Sequence, residues 1–404
     1  MLDFYLSEMS VSDRHGGGIT LQRLLGADLG LIKHFVHPSR FARDFPPAPA
    51  IVQKSDYITS WFEENSARLW IGCTLSRWCH QHSVVQKRQA RQTAAKIDRL
   101  FPGNSTLTAL VCPQSPTSVL AIESLKTRRP LKYISWMMDD HIVRYHDGKW
   151  QYPKALHAAI GKHLREASAL FVISSVMGEF YEREFGVRAQ VLFGPAEQEI
   201  ESICDALRTS SPLTIGYFGS VGPWQLDALV RFAATLPPDE ARLHVFTNAD
   251  VLPPALQLPA VEFKACLAKE AVQDKMREYD AVLLPISFDE SQRHLSEFNI
   301  ATKMSECLAS GTVTLVVGPE YAAMVRFLQL TGAACVITDR SLADWPRVAD
   351  KLKDPAYRRQ VLDAAKDLVQ KELSTSVMRS RWRTAVSKLR EPNSDTVSRR
   401  EMIS

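Results

Sequence analysis

The sequence contains no CxxC pair, and its seven cysteines (Cys73, Cys79, Cys112, Cys204, Cys266, Cys307, Cys335) are odd in number and scattered. That excludes a disulfide framework and a structural zinc site. The thiols sit mostly in apolar runs and read as reduced core cysteines of a cytosolic protein. No run of about 18 consecutive apolar residues occurs, so no membrane-spanning helix is expected. The opening MLDFYLSEMS has neither a basic n-region nor a long apolar segment, so no secretory signal is expected. Glycine is missing where a dinucleotide fingerprint needs it, because Leu21 stands three residues after Gly18. No nucleic-acid motif appears, and a net charge of +4 is small for a nucleic-acid binder.

What is present points to a two-domain globular protein. A chain of 404 residues is long for one core, and 45% hydrophobic with 23% charged residues is the balance of a folded protein. The charge is uneven. Residues 1–194 hold 24 lysines and arginines against 17 acids, which leaves 25 against 28 in the remainder. Only the first half is therefore expected to meet an anionic partner or surface.

Short apolar runs alternate with helical patterns along most of the chain. LDFYLSEM, LTALVCP, LKYISWMM and ALFVISS form one series of expected strands; LTIGYFGSV, ARLHVFTN, AVEFKAC, DAVLLPI and VTLVVG form a second. Strands alternating with helices predict parallel βαβ units and doubly wound sheets. The expected division is a first domain over 1–194, a linker over 195–212, a second domain over 213–372, a C-terminal helix over 373–390 and a disordered tail over 391–404.

Ligands of such sheets bind at the carboxyl ends of strands, and four polar clusters fall there. DRHGGGITLQRLL places Gly17 and Gly18 before a helix, where the backbone approaches a ligand closely and the helix N-terminus favours an anion. WMMDDH places Asp139, Asp140 and His141 at a strand tip, with no second histidine at helix spacing to suggest a metal. IGYFGSVGPWQ sets Gly219 and Ser220 at another strand end. In FNIATKMSECLASG, a helix beginning near Ile300 with Asn299 as its cap would carry Lys303 and Glu306 on one face. Lys303 supplies a point charge for a diphosphate, and Glu306 can accept both hydroxyls of a ribose diol.

These segments together resemble GT-B glycosyltransferases of the family 4 type. The resemblance rests on IGYFGS, on DAVLLPI…FNIATKMSECLASGTVTLVV, on ALFVISSVMGEFYEREFGV and on the two terminal helices, and it spans nearly the whole chain. It implies an α/β fold of two Rossmann-like domains facing a central cleft, with C-terminal helices crossing back to the first domain. It implies retaining transfer of a sugar from a UDP- or GDP-sugar to a glycan or lipid-linked acceptor, in polysaccharide or glycoconjugate assembly, with no metal and no other cofactor. By the resemblance Lys303 contacts the donor diphosphate and Glu306 the ribose. Gly219 lines the phosphate region, Gly17 and Gly18 lie across the cleft, and Ser220 belongs to the nucleotide-sugar group. Asp139, Asp140, His141 and Lys303 are the catalytic candidates; Glu297 and Asn299 join the nucleotide-sugar group.

Two departures from the family accompany it. Phe298 stands eight positions before Glu306, where the family often has a glutamate, and Glu297 is one step off. The basic pair that often holds the diphosphate is absent after YFGSVGPWQ, with Arg293 or Lys264 as substitutes by proximity. A GT-B epimerase using Asp139 or His141, or a catalytically silent GT-B module that binds a glycan, are the alternatives.

Residues 61–100 combine Trp61, Trp70 and Trp78 with Arg68, Arg77, Lys87, Arg88 and Arg91. Interleaved tryptophans and basic residues suit an anionic bilayer. The expected localisation is cytoplasmic, peripheral on the inner face of the membrane.

Overall fold

The computed structural model describes residues 1–45, 47–65, 83–198, 200 and 211–390. Two parallel sheets organise it. The first contains β1 (Leu2–Leu6), β2 (Ile32–His37), β3 (Ser55–Tyr57), β4 (Leu107–Val111), β5 (Leu131–Met137), β8 (Ala169–Val172) and β9 (Gln190–Val191), in the order β3-β2-β1-β4-β5-β8-β9. An antiparallel hairpin, β6 (Arg144–His146) with β7 (Lys149–Gln151), projects between β5 and β8 in the chain. The second sheet contains β10 (Leu213–Phe218), β11 (Ala241–Thr247), β12 (Val261–Ala265), β13 (Ala281–Pro285), β14 (Val313–Val317) and β15 (Cys335–Ile337), in the order β12-β11-β10-β13-β14-β15. Each sheet reverses its winding beside its first strand, between β1 and β4 and between β10 and β13. That is where doubly wound sheets open a crevice for ligands.

The central strands are largely apolar because helices cover both faces. Every residue of AVLLP and VTLVV is buried. Serine caps two of the helices: the Ser115 Oγ accepts from Thr117 N and the Ser174 Oγ from Met177 N. Among the described residues no helix is long and apolar enough to cross a membrane.

Two segments join the domains and lie side by side. Ala196 N donates to Leu373 O at 2.8 Å, and Thr375 Oγ1 donates to Ala196 O at 2.7 Å. The helix Thr375–Arg390 then crosses back to the first domain. There Trp382 packs against Phe171, and Arg379 donates to the carbonyls of Arg23 and Leu24, each at 3.0 Å. Most of the segment expected as a linker and all of the expected disordered tail lie outside the described residues, as do Cys73, Cys79 and Cys204. Cys112, Cys307 and Cys335 are buried free thiols, but Cys266 is exposed.

The first core also holds two neutral histidines. Burial pushes the imidazole of His37 down to about 4 and that of His163 down to about 3. Their folded values lie below the unfolded value, so the unfolded chain takes up protons first as pH falls. Their stabilisation is complete above about pH 6.5 and is lost toward pH 4. Between pH 7 and pH 5 each should cost about 2 kcal/mol of unfolding free energy. Denaturant titrations of the parent and of a His37→Asn, His163→Gln variant should therefore diverge over this range. Parallel curves would refute the assignment.

Candidate functional site

The site is built where the helix that follows β1 meets the segment that follows β13. After β1 the chain reaches the helix Gly16–Leu25, which is capped by His15: its Nδ1 accepts from Gly18 N at 3.1 Å. The triple glycine is thus the first turn of the helix and not a loop before it. A side chain at Gly18 would put Cβ 2.2 Å from the Ser12 carbonyl oxygen, and one at Gly17 would meet the Met9 methyl at 2.6 Å. At Gly16 the neighbour belongs to the second domain: Cβ would come within 2.9 Å of Thr302 Oγ1. Thr20 Oγ1 donates to the same threonine at 3.3 Å. The glycine turn is therefore packed against the segment that carries Lys303.

That segment differs from expectation at its start. The helix runs over Lys303–Ala309, and Asn299 is the C-cap of a separate short helix, Arg293–Phe298. Asn299 is extended (φ −97°, ψ 153°), and its side chain donates to Asp139 Oδ1 at 2.5 Å across the cleft. A neighbouring anchor helps to break the helix at this point, because the Ser174 hydroxyl donates to the Phe298 carbonyl.

Lys303 Nζ lies 2.8 Å from Glu306 Oε2. Partial burial lowers the pKa of its ammonium. Glu306 Oε1 accepts from Arg23 Nη2, which comes from the glycine-led helix opposite. Arg23 also pairs with Glu197, with Nε and Oε1 3.3 Å apart, and Lys269 reaches the same carboxylate at 3.1 Å. The structure thus brings Lys303 and Glu306 together and adds Arg23, Glu197 and Lys269, whereas Gly17 and Gly18 face Met9 and Ser12 of their own domain. No local sequence pattern marks Arg23, Glu197 or Lys269.

The acidic strand tip divides into two roles. Asp140 is buried and satisfied by four donors: the Ile142 and Val143 amides at 3.0 Å, Tyr152 OH at 2.5 Å and Tyr181 OH at 2.8 Å. It fastens the hairpin base to the helix Ser175–Phe185. Asp139 faces the second domain through Asn299, and burial raises its pKa. The His141 ring centre lies 6.2 Å from that of His294. Burial, then Arg144 and His141, lower the pKa of His294.

Glu297 accepts from Trp150 Nε1 at 3.2 Å and from Arg293 Nε at 2.7 Å. The Arg293 guanidinium stacks between Tyr145 at 3.9 Å and Tyr321 at 4.2 Å. Lys264 pairs with Glu262 at 2.8 Å. Gly219 and Ser220 end β10, held by Gly219 N donating to Phe246 O and Tyr217 OH donating to Ser220 O. They share no hydrogen bond with the Lys303 and Glu306 group among the described residues. No group of three or more histidine, cysteine or acidic residues that could hold a metal ion occurs among the described residues.

The chain matches no protein-family model and no curated protein. It is similar to several solved structures along almost its whole length. One is a glycosyltransferase from Rickettsia africae, with 9% identity over 97% of this chain and 100% of that one and a TM-score of 0.64. Another is the sucrose-phosphate synthase of Thermosynechococcus elongatus, with 12% identity over 96% and 99% and a TM-score of 0.63. A third is Anabaena HepE in complex with UDP, with 12% identity over 96% and 100% and a TM-score of 0.61. At these identities the likeness shows the fold: two Rossmann-like domains facing a cleft in the GT-B arrangement.

Proposed function

We propose that the protein is a glycosyltransferase that moves a sugar, with retention of configuration, from a UDP- or GDP-linked donor to a glycan or lipid-linked acceptor in polysaccharide or glycoconjugate assembly. The observation that carries this reading is the packing of the Lys303 and Glu306 segment along the helix Gly16–Leu25, with Thr302 against Gly16 and Thr20 and Glu306 against Arg23. An ammonium at the start of the helix Lys303–Ala309 suits a diphosphate, and a carboxylate one turn further suits a ribose diol. Lys303 and the helix N-terminus then stabilise the charge that develops on the leaving diphosphate. In this reading Asp139, which bonds Asn299 of the other domain and whose pKa burial raises, holds an acceptor hydroxyl. No metal and no cofactor is assigned a role. The similar structures are of glycosyltransferases and a sucrose-phosphate synthase, and HepE was solved with UDP and UDP-glucose, which favours transfer over epimerisation.

Calorimetric titration with UDP, GDP and their sugars tests the reading, followed by transfer to a membrane-lipid extract. One nucleotide should bind and sugar should pass to the extract; binding of neither would overturn the proposal. Asp139→Asn should lower the transfer rate about tenfold or more while nucleotide affinity holds.

We also propose attachment to an anionic membrane through the helix Ser83–Leu100. Its Lys87, Arg88 and Arg91 are exposed on the face opposite the buried Gln89, Ala90, Thr93, Ala94 and Ile97. Trp61 is 68% exposed, whereas Arg68, Trp70, Arg77 and Trp78 lie outside the described residues. Reversing the charge of Lys87, Arg88 and Arg91 should abolish flotation with phosphatidylserine liposomes. Equal flotation of variant and parent would count against the patch.

A further inference from the structure

Glu306 is engaged from both sides, and the two contacts differ in kind. Lys303 stands on the same helix and moves with it. Arg23 belongs to the helix Gly16–Leu25 of the first domain, so its hydrogen bond to Glu306 Oε1 exists only while the domains keep this spacing. Its side chain is only 4% exposed, and Nη1 has no hydrogen-bond partner among the described residues. Its backbone is fixed by the crossing helix, because Arg379 donates to the Arg23 and Leu24 carbonyls. The second acid on the guanidinium, Glu197, follows Ala196 directly, where the two interdomain segments pair. Lys303, Glu306, Arg23, Glu197 and Lys269 thus form a line of alternating charge across the junction.

We propose that Arg23 and the ribose of the nucleotide compete for the Glu306 carboxylate, so that Arg23 sets the affinity of the site. The inference rests on the nucleotide-site reading above and deepens it. A guanidinium is a stronger donor to a carboxylate than a neutral hydroxyl, so the ribose gains Glu306 only by displacing a better partner. Arg23 keeps a counter-charge when displaced, because Glu197 stays on its other edge. The exchange also releases Glu306 from the first domain, which couples nucleotide binding to the spacing of the two domains.

A contact engaged in about nine molecules of ten weakens apparent affinity about tenfold. Arg23→Met keeps the apolar stem and removes the charge, so in calorimetry it should tighten UDP or GDP binding by about that factor. In a Glu306→Gln background the same substitution should change affinity by less than about twofold, because the contested charge is already gone. If Arg23→Met does not fold, Arg23→Lys serves. With its single, shorter donor it should give a smaller gain in the same direction. A parent that binds nucleotide together with unchanged or weaker binding by the Arg23 variants would overturn the competition and leave the nucleotide site standing. A parent that binds neither nucleotide would overturn both.

Discussion

Glu306→Ala is expected to weaken nucleotide binding about 100-fold while leaving the protein folded. A ribose diol donating to a carboxylate makes two charge-assisted hydrogen bonds, each worth about 1.5–3 kcal/mol net; after about 1.4 kcal/mol recovered by ending the tenfold competition with Arg23, the loss spans a 100-fold change, about 2.7 kcal/mol. The loss outruns any gain from freeing Arg23, because the group for which the two compete disappears. Folding should survive because neither cation is stranded. Arg23 retains Glu197, and the Lys303 side chain is 40% exposed and reaches water. Calorimetry with the nucleotide that the parent binds, beside a thermal melt of each protein, decides the matter. Parent-like affinity in a folded variant would remove Glu306 from the ribose.

Much of this fold is legible in the sequence, for a physical reason. Parallel strands covered on both faces are continuous apolar runs, so AVLLP and VTLVV declare themselves. The strand IKHFVH does not, because it lies next to the sheet edge and carries Lys33, which pairs with Asp3 at 2.8 Å. Ser55–Tyr57, Gln190–Val191 and Cys335–Ile337 are too short to show a period. The site divides in the same way. Lys303 and Glu306 are three residues apart on one helix, so their pairing follows from helical geometry. Arg23 and Glu306 stand 283 residues apart, and nothing in ITLQRLL distinguishes a cleft arginine from an ordinary surface one. The start of the Lys303 helix is hidden for a related reason. Asn299 is a favourable cap in isolation, but its side chain is committed to Asp139 on the other domain.

Phe298→Glu, which places an acid where the resembled family often has one, is expected to lower the melting temperature by about 10 °C or more without raising transfer. Phe298 is 1% exposed, and its ring centre lies 4.4 Å from that of Trp150 and 4.8 Å from that of Phe180. Both partners come from the first domain, so the ring is a contact that joins the two halves. Removing a buried phenyl ring costs about 3–5 kcal/mol, and about 2–4 °C is lost per kcal/mol in a domain of this size. A carboxyl group among these rings has no new donor and must either protonate or leave the interface. Glu297 beside it adds like charge, and its hydrogen bond from Trp150 depends on the same packing. Phe298→Leu separates volume from charge: it keeps an apolar side chain and should lose only about 1–2 kcal/mol. Thermal melts of the two variants beside a transfer assay provide the check. A Phe298→Glu protein that melts with the parent and transfers faster would place this position at the sugar instead of in the junction.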